Sequence, residues 1–129
     1  MENKQLVLCD TNIFIEFYKK NSTIISKLKN IGSDKIALSV ITGGELLYGA
    51  LNRKELNIIK KDSENLILLR INDAICNKFI ELMEKYSLSH KLAVPDALIA
   101  ATALIYDIEL FTLNQKDFRF IDGIKLLKV

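Results

Sequence analysis

Cysteine, histidine, proline and tryptophan are scarce in this sequence, and their scarcity narrows the classes of protein to consider. The 129 residues include two cysteines, one histidine, one proline and no tryptophan. Zinc sites need cysteine or histidine ligands at characteristic spacings, which Cys9 and Cys76 do not show. Two isolated cysteines also disfavour a disulfide scaffold, so we expect both to be small buried hydrophobic residues.

Long apolar runs are also missing. No segment approaches the roughly 20 apolar residues that span a membrane, and the apolar run after the polar first residues is too short for a signal peptide. We therefore expect a cytoplasmic protein without a membrane partner. Because 50% of the residues are hydrophobic and 26% are charged, the composition predicts a globular protein with a single domain over residues 1–129.

Apolar runs of strand length alternate with segments of helical periodicity along the chain. The pattern predicts strands over 5–9, 35–39, 66–71 and 109–112, with a short fifth strand over 124–127. Helices are predicted over 13–18, 23–31, 40–51, 53–63, 72–86 and 95–106, with Ser22 as the cap of the second helix and Gly32 as its end. This alternation predicts an α/β fold with a mainly parallel sheet of four to five strands and helices on both faces.

Asp96 is the most conspicuous acidic residue, because it is the only charge between residues 92 and 106. A carboxylate in so apolar a segment costs several kcal/mol unless a partner or a metal ion binds it. Asp96 is therefore a candidate for chemistry. The alternative is that it only begins a helix after Pro95, where the helix dipole favours a negative charge.

Asp10 follows the first predicted strand directly. The carboxyl ends of strands are the usual position of ligand-binding groups in open α/β sheets. Asp10 is therefore a second candidate, although Asp10, Thr11 or Asn12 could instead only cap the helix that follows.

Glu45 lies in the helix that follows the second strand, with Ser39 as the predicted cap. Gly43 and Gly44 precede it, and glycine costs about 1 kcal/mol relative to alanine inside a helix. We expect the two glycines to permit a close backbone approach beside Glu45. A solvent-facing glutamate next to a kink is the alternative.

Polar residues also follow the fourth predicted strand. Thr112, Asn114 and Asp117 would lie at the same sheet edge as Asp10 if the sheet is parallel. They could equally form an ordinary polar turn.

Taken together, four motifs in this order resemble the PIN-domain family, and within it the VapC-type ribonuclease toxins. They are Leu-Cys-Asp-Thr-Asn at 8–12, Gly-Glu-Leu-Leu-Tyr-Gly-Ala at 44–50, Pro-Asp-Ala-Leu-Ile-Ala-Ala-Thr-Ala at 95–103 and Phe-Thr-Leu-Asn-Gln-Lys-Asp-Phe at 111–118. The resemblance extends over residues 6–120 and implies a three-layer α/β/α sandwich.

The resemblance also implies a set of site residues. Asp10, Glu45 and Asp96 match the acidic core, with Asp117 as the fourth acid and Thr11, Asn12, Thr112 and Asn114 in supporting positions. Many relatives carry their fourth acid at the position of Asn114. Either Asp117 replaces that acid, or three carboxylates operate with Asn114 as a polar helper.

Clustered carboxylates predict a metal-dependent reaction, because like charges raise one another's pKa and a divalent cation relieves the repulsion. Hard oxygen donors suit Mg²⁺ or Mn²⁺, and such a centre hydrolyses phosphodiesters. The resemblance implies RNA as substrate, a cognate antitoxin as partner and a homodimer. Lys116 and Arg119, which flank Asp117, are expected to contact RNA, whereas His90 is expected to be a loop residue without a partner.

Three other functions are compatible with parts of the pattern. A receiver-like phosphoacceptor domain also alternates strands and helices, but it needs adjacent acids after the first strand and an aspartate at the end of the third. A housekeeping PIN nuclease of RNA processing would carry the same acids as a toxin. A catalytically inactive binding module is disfavoured because all the acids are present.

Overall fold

A computed structural model describes residues 5–128, which form a four-stranded sheet flanked by six α-helices. The strands are β1 Val7–Cys9, β2 Ile36–Ser39, β3 Ile67–Leu69 and β4 Glu109–Phe111. The helices are α1 Thr11–Tyr18, α2 Ser22–Ile31, α3 Val40–Tyr48, α4 Arg53–Glu64, α5 Asp73–His90 and α6 Val94–Tyr106, and a 3₁₀ turn covers Gln115–Asp117. Every predicted helix is present within a few residues of its expected bounds.

All strand pairs in the sheet are parallel, and the strand order is β3-β2-β1-β4. Leu8 in β1 is opposite Ala37 in β2 and Leu110 in β4, so β1 is a central strand. The carboxyl ends of β1, β2 and β4 therefore lie along one edge of the sheet. The predicted fifth strand contributes only one bridge, between Leu126 and Leu110.

The side chains of β1 alternate between two hydrophobic layers, as expected for a strand covered on both faces. Leu8 packs with α5 and α6, whereas Val7 and Cys9 pack with the cluster that includes Ile13 of α1 and Ile24 of α2. These layers confirm the predicted α/β/α sandwich. The apolar helix α6 is buried along its middle, since Ala97, Ile99, Ala100, Ala101 and Ala103 are at most 1% exposed.

Helix caps follow the prediction at α3 but not at α2. The Ser39 hydroxyl accepts a hydrogen bond from the Thr42 amide at 3.1 Å, as predicted. In α2 the cap is Asn21, whose Oδ1 accepts from the amides of Thr23 and Ile24 at 3.1 and 3.3 Å. Because asparagine and serine are comparably good caps, the sequence alone could not decide whether Asn21 or Ser22 caps α2.

The two glycines of α3 do not provide the close approach that we predicted. A Cβ built on Gly44 has no heavy-atom neighbour within 4 Å, and one built on Gly43 would lie 4.0 Å from Leu38 Cδ1. The expectation for the cysteines is half right, because Cys9 is buried but Cys76 is exposed on α5. Within residues 5–128, the structure has no helix long and apolar enough to cross a membrane.

The open space around Gly44 yields a stability prediction. Gly44→Ala should raise the free energy of unfolding by about 0.5–1 kcal/mol, because alanine restricts the unfolded chain and meets no steric barrier. Urea denaturation measures the difference. Gly32→Ala is the opposite control: with φ at +93° and Asp34 Oδ1 at 3.0 Å from the new Cβ, it should destabilise the protein. A loss of stability in Gly44→Ala would contradict the assignment of open space.

Candidate acidic active site

The carboxyl ends of β1 and β4 bring two polar segments together. Cys9 is opposite Phe111 in the parallel register, and the Asp10 amide donates to the Phe111 carbonyl at 2.9 Å. Asp10 begins α1 as its cap, and Thr112 is the first residue after β4. The two residues are therefore held side by side, as the parallel sheet predicted.

Asp10 is a buried carboxylate with three hydrogen-bond donors. Its Oδ1 accepts from the Thr11 amide at 2.7 Å, and its Oδ2 accepts from the Thr112 hydroxyl at 2.8 Å and from Asn12 Nδ2 at 3.4 Å. Burial raises the pKa of Asp10, and the negative charges of Glu45 and Asp117 raise it further. The bonds from Thr112 and Thr11 act in the opposite direction.

Asn12 and Thr112 form a small hydrogen-bonded frame around this carboxylate. Asn12 Nδ2 also donates to the Thr112 hydroxyl at 3.3 Å, and Asn12 Oδ1 accepts from the Leu113 amide at 3.3 Å. Asn114 contributes through its backbone, since its amide donates to the Thr112 hydroxyl at 3.1 Å. The loop after β4 is thereby tied to the start of α1.

Glu45 reaches the same edge from α3. It is exposed, and its Oε1 accepts a hydrogen bond from the Thr11 hydroxyl at 2.6 Å. Thr11 Oγ1 also lies 3.0 Å from Thr42 Oγ1, which is fully buried and 3.4 Å from the Ser39 hydroxyl. A row of hydroxyl groups therefore joins the end of β2 to Glu45.

Thr42 is a site residue that the sequence reasoning missed. Its only signal was a threonine three residues before Glu45, which places both on one face of the helix. That spacing is common, and only the packing of α1 against α3 shows that Thr42 supports Thr11.

Asp96 lies in the first turn of α6 and is half-buried. Burial raises its pKa to about 6, and the nearby charges of Asp10, Asp117 and Glu45 contribute in that order. The four predicted acids therefore lie close enough to repel one another.

Asp117 ends the 3₁₀ turn, and it is exposed. Its charge raises the pKa of both Asp10 and Asp96, and it borders the same cavity as Asp96 and Lys116. Asn114 begins the turn without a side-chain cap bond. Arg119 is exposed and does not border that cavity.

His90 is not the loop residue that we predicted. It is the last residue of α5, and its ring stacks on Phe120 with the ring centroids 4.1 Å apart. Tertiary packing onto the segment after the 3₁₀ turn supplies the partner that the local sequence did not reveal.

The donors in this site are carboxylate and hydroxyl oxygens, which are the ligands that Mg²⁺ and Mn²⁺ prefer. Burial, followed by the charges of Asp10, Asp117 and Glu45, raises the pKa of Asp96, and a divalent cation would relieve this cost of ionisation. The donor set therefore fits such an ion. In the part of the chain that the structure describes, no three His, Cys, Asp or Glu side chains already stand in a metal-holding arrangement.

Comparisons with known proteins agree with this geometry. The family model described as PIN domain matches residues 7–124. A toxin–antitoxin complex from Klebsiella pneumoniae contains a similar chain, with 30% identity, a TM-score of 0.78 and coverage of 92% of this chain and 94% of that one. VapBC-1 from nontypeable Haemophilus influenzae is similar at 26% identity and a TM-score of 0.75, covering 95% and 97%.

DNA-bound VapBC from Salmonella typhimurium has a TM-score of 0.84 over 95% of this chain and 97% of that one. Its identity of 21% shows a common fold alone. A comparison with curated proteins finds no match.

The raised pKa of Asp96 predicts how stability responds to pH. Because its folded-state pKa of about 6 exceeds the ordinary value of 3.8, ionised Asp96 lowers the free energy of unfolding at neutral pH. This penalty disappears as the pH falls from about 6 towards 4. In buffer with a chelator, Asp96→Asn should therefore melt at a higher temperature than wild type at pH 7.5, and the difference should shrink at pH 4.5.

Glu84→Gln, which neutralises an exposed acid on α5, is the matched control and should not show this pH-dependent gain. An Asp96→Asn protein that melts below wild type at pH 7.5 would sink the assignment of a repelling cluster.

The hydroxyl of Thr112 yields a second prediction. Thr112→Val keeps the shape of a fully buried side chain but removes the donor to Asp10 Oδ2. The Asp10 carboxylate then loses its strongest side-chain partner, and we expect about 10–100-fold weaker Mn²⁺ binding. Calorimetric titration measures the affinity, with circular dichroism to verify the fold. Unchanged affinity would mean that Thr112 does not orient a metal-binding group.

Proposed function

This chain belongs to the PIN-domain family with a VapC-like fold, and we propose that it is a metal-dependent endoribonuclease, the toxin of a toxin–antitoxin pair. The observation that carries the proposal is that Asp10, the cap of α1 after β1, and Asp96, in the first turn of α6, both feel the negative charges of Glu45 and Asp117. The family match and the likeness to toxin–antitoxin complexes support it.

Asp10 and Asp96 would hold the divalent ion, since they are the two acids with raised pKa values. Glu45 and Asp117 would complete the shell or orient the attacking water. A bound Mg²⁺ or Mn²⁺ would activate that water and stabilise the leaving oxygen of the phosphodiester.

Hydrogen bonds position two of the four acids, Asp10 and Glu45. Thr112 and the Thr11 amide fix both oxygens of Asp10. The Thr11 hydroxyl holds Oε1 of Glu45, and among residues 5–128 no group donates to Oε2. That free oxygen is available to accept a proton from a water molecule. Lys116 borders the cavity beside Asp117, where its positive charge would attract a phosphate group.

The receiver-like alternative has little support in the geometry. β1 ends in the single acid Asp10, and β3 is an edge strand that ends at Leu69. The next acid, Asp73, is exposed at the start of α5. A phosphoacceptor site at the end of the third strand is therefore not formed.

The proposed antitoxin has an apolar cleft available beside the site. The cleft is bordered by Leu51 and Ile58, which are 85% and 46% exposed, and also by Glu45. A protein segment that covered these apolar side chains would lie against an acid of the proposed centre and block it. The homodimer stays a prediction, which sedimentation analysis would test.

The proposed activity predicts metal-dependent RNA cleavage. Purified protein, freed of any copurifying partner, should cut single-stranded RNA with Mg²⁺ or Mn²⁺ and stop when EDTA is added. Asp10→Ala, Glu45→Ala and Asp96→Ala should each lower the rate by orders of magnitude, because the acids act as one unit. Asp117→Ala should cost less, since water and Asn114 can substitute. Glu84→Gln should leave the rate unchanged.

Expression in cells separates a toxin from a housekeeping nuclease. Wild type should arrest growth, Asp96→Asn should not, and a small protein encoded next to this gene should prevent the arrest. Leu51→Glu should keep RNA cleavage but escape that protein, because it places a charge in the apolar cleft. RNA cleavage without growth arrest would favour the housekeeping alternative, whereas no cleavage of any RNA would overturn the nuclease proposal.

A further inference from the structure

A cavity of about 300 Å³ opens beside the acidic site. Asp96 and Asp117 border it on the side of the proposed metal centre. Lys91, Lys116, His90 and Phe120 form much of the remaining wall. The cavity therefore combines two lysines and an aromatic pair close to the acids. Lys91, His90 and Phe120 have no part in the proposed metal centre.

The aromatic pair is assembled before any ligand binds. His90 and Phe120 stack with centroids 4.1 Å apart and planes 8° apart. The Tyr86 ring packs edge-on against both, at 5.7 Å from His90 and 5.1 Å from Phe120. Tyr86 is buried and Phe120 is partly buried, whereas His90 is exposed. One face of the imidazole is thus covered by Phe120, while the His90 side chain as a whole is exposed.

The two lysines supply positive charge without acidic partners of their own. Across the described residues 5–128, neither Lys91 nor Lys116 forms an ion pair. Lys91 is the cap that follows α5, and it is in the left-handed conformation with φ at 54°, a position where glycine is strongly preferred. A lysine is therefore costly for the fold at this position, and this lysine borders the cavity.

A segment of single-stranded RNA offers both features that this wall would bind. Its bases present flat π surfaces, and its phosphates carry negative charge one sugar away from each base. Aromatic stacking together with lysine–phosphate contacts is the general mode of single-strand binding. An acidic peptide would satisfy the lysines but would leave the imidazole face unused.

We propose that this cavity is the subsite for the nucleotide next to the scissile phosphodiester. Its base stacks on the outer face of His90, and its phosphate lies between Lys91 and Lys116. This inference rests on the proposed nuclease function, because it uses the acidic centre to define where cleavage occurs. His90, Lys91 and Lys116 are binding residues in this scheme and do not touch the reacting atoms.

Steady-state cleavage of a short single-stranded RNA tests the base-stacking part. His90→Ala should raise KM by roughly tenfold, in line with the loss of one stacking contact, with kcat within about twofold of wild type. His90→Phe should retain a low KM, because it keeps a flat ring on Phe120. Equal KM values for wild type and His90→Ala, or a kcat loss without a KM change, would overturn the stacking role.

Lys91→Gly separates binding from folding. Glycine removes the left-handed strain, so the variant should melt at a higher temperature than wild type, while its KM rises roughly tenfold and its salt dependence becomes shallower. Lys116→Ala should raise KM similarly. Lys60→Ala, in an exposed basic pair on α4, is the matched control. It should change neither KM nor its salt dependence. Unchanged KM in both cavity variants would overturn the phosphate role.

A direct binding measurement is possible because His90 is the only histidine in the chain. In Asp96→Asn protein, which prevents cleavage, oligoadenylate should shift the imidazole ring protons upfield through the ring current of a stacked adenine. Ribose 5-phosphate, which has no base, should not. Oligoadenylate binding without this shift would overturn the subsite even if the nuclease activity is confirmed. If wild type cleaves no RNA but oligoadenylate still causes this shift, the proposed function is overturned and the cavity is a nucleotide-binding site with no scissile bond beside it.

Discussion

The functional edge of the molecule depends on keeping one buried carboxylate, that of Asp10, at the end of the central strand β1. A buried carboxylate is costly unless hydrogen-bond donors replace the lost water. Its donors come from the start of α1 and from Thr112 after β4. They meet only because β1 and β4 are adjacent and parallel. The register of β1 against β4 therefore also sets the hydrogen bonds that stabilise the Asp10 carboxylate. For this reason the segments after β1 and β4 cannot shift independently.

Much of this arrangement follows from local sequence patterns. The short apolar runs and the periodic helices predicted the element order, and parallel pairing then placed the ends of β1 and β4 at one edge. Asp96 was visible because it is the only charge in an apolar segment, and Asp10 because it follows a predicted strand at its carboxyl end. Each could also have served only to begin or cap a helix. Glu45 and Asp117 were candidates whose surroundings are also compatible with ordinary exposed residues, and the resemblance to PIN domains grouped them with Asp10 and Asp96. The structure places both acids near enough for their charges to act on Asp10, and their roles are part of the proposal.

What the sequence could not predict depends on contacts between distant elements. Thr42 supports Thr11 only because α1 packs on α3, and His90 gains Phe120 only through the fold of the segment after the 3₁₀ turn. The glycines of α3 illustrate the opposite error. Their helical cost suggested a tightly packed neighbour, but the space around Gly44 is open. The energetic cost of a glycine inside a helix therefore does not reveal whether a neighbouring group packs against that glycine.

The hydrogen bond between Thr112 and Asp10 joins residues 102 positions apart, and this separation sets an order of events during synthesis. Parallel strands cannot pair through a tight hairpin, so β1 must wait for β4. At about 5–20 residues per second, roughly 5–20 s pass between the appearance of Asp10 and that of its main donor. The acidic centre therefore cannot be completed before β4 and the segment after it have been synthesised. A chain that is released from the ribosome before β4 lacks Thr112 and Asp117, and it therefore has no assembled acidic centre.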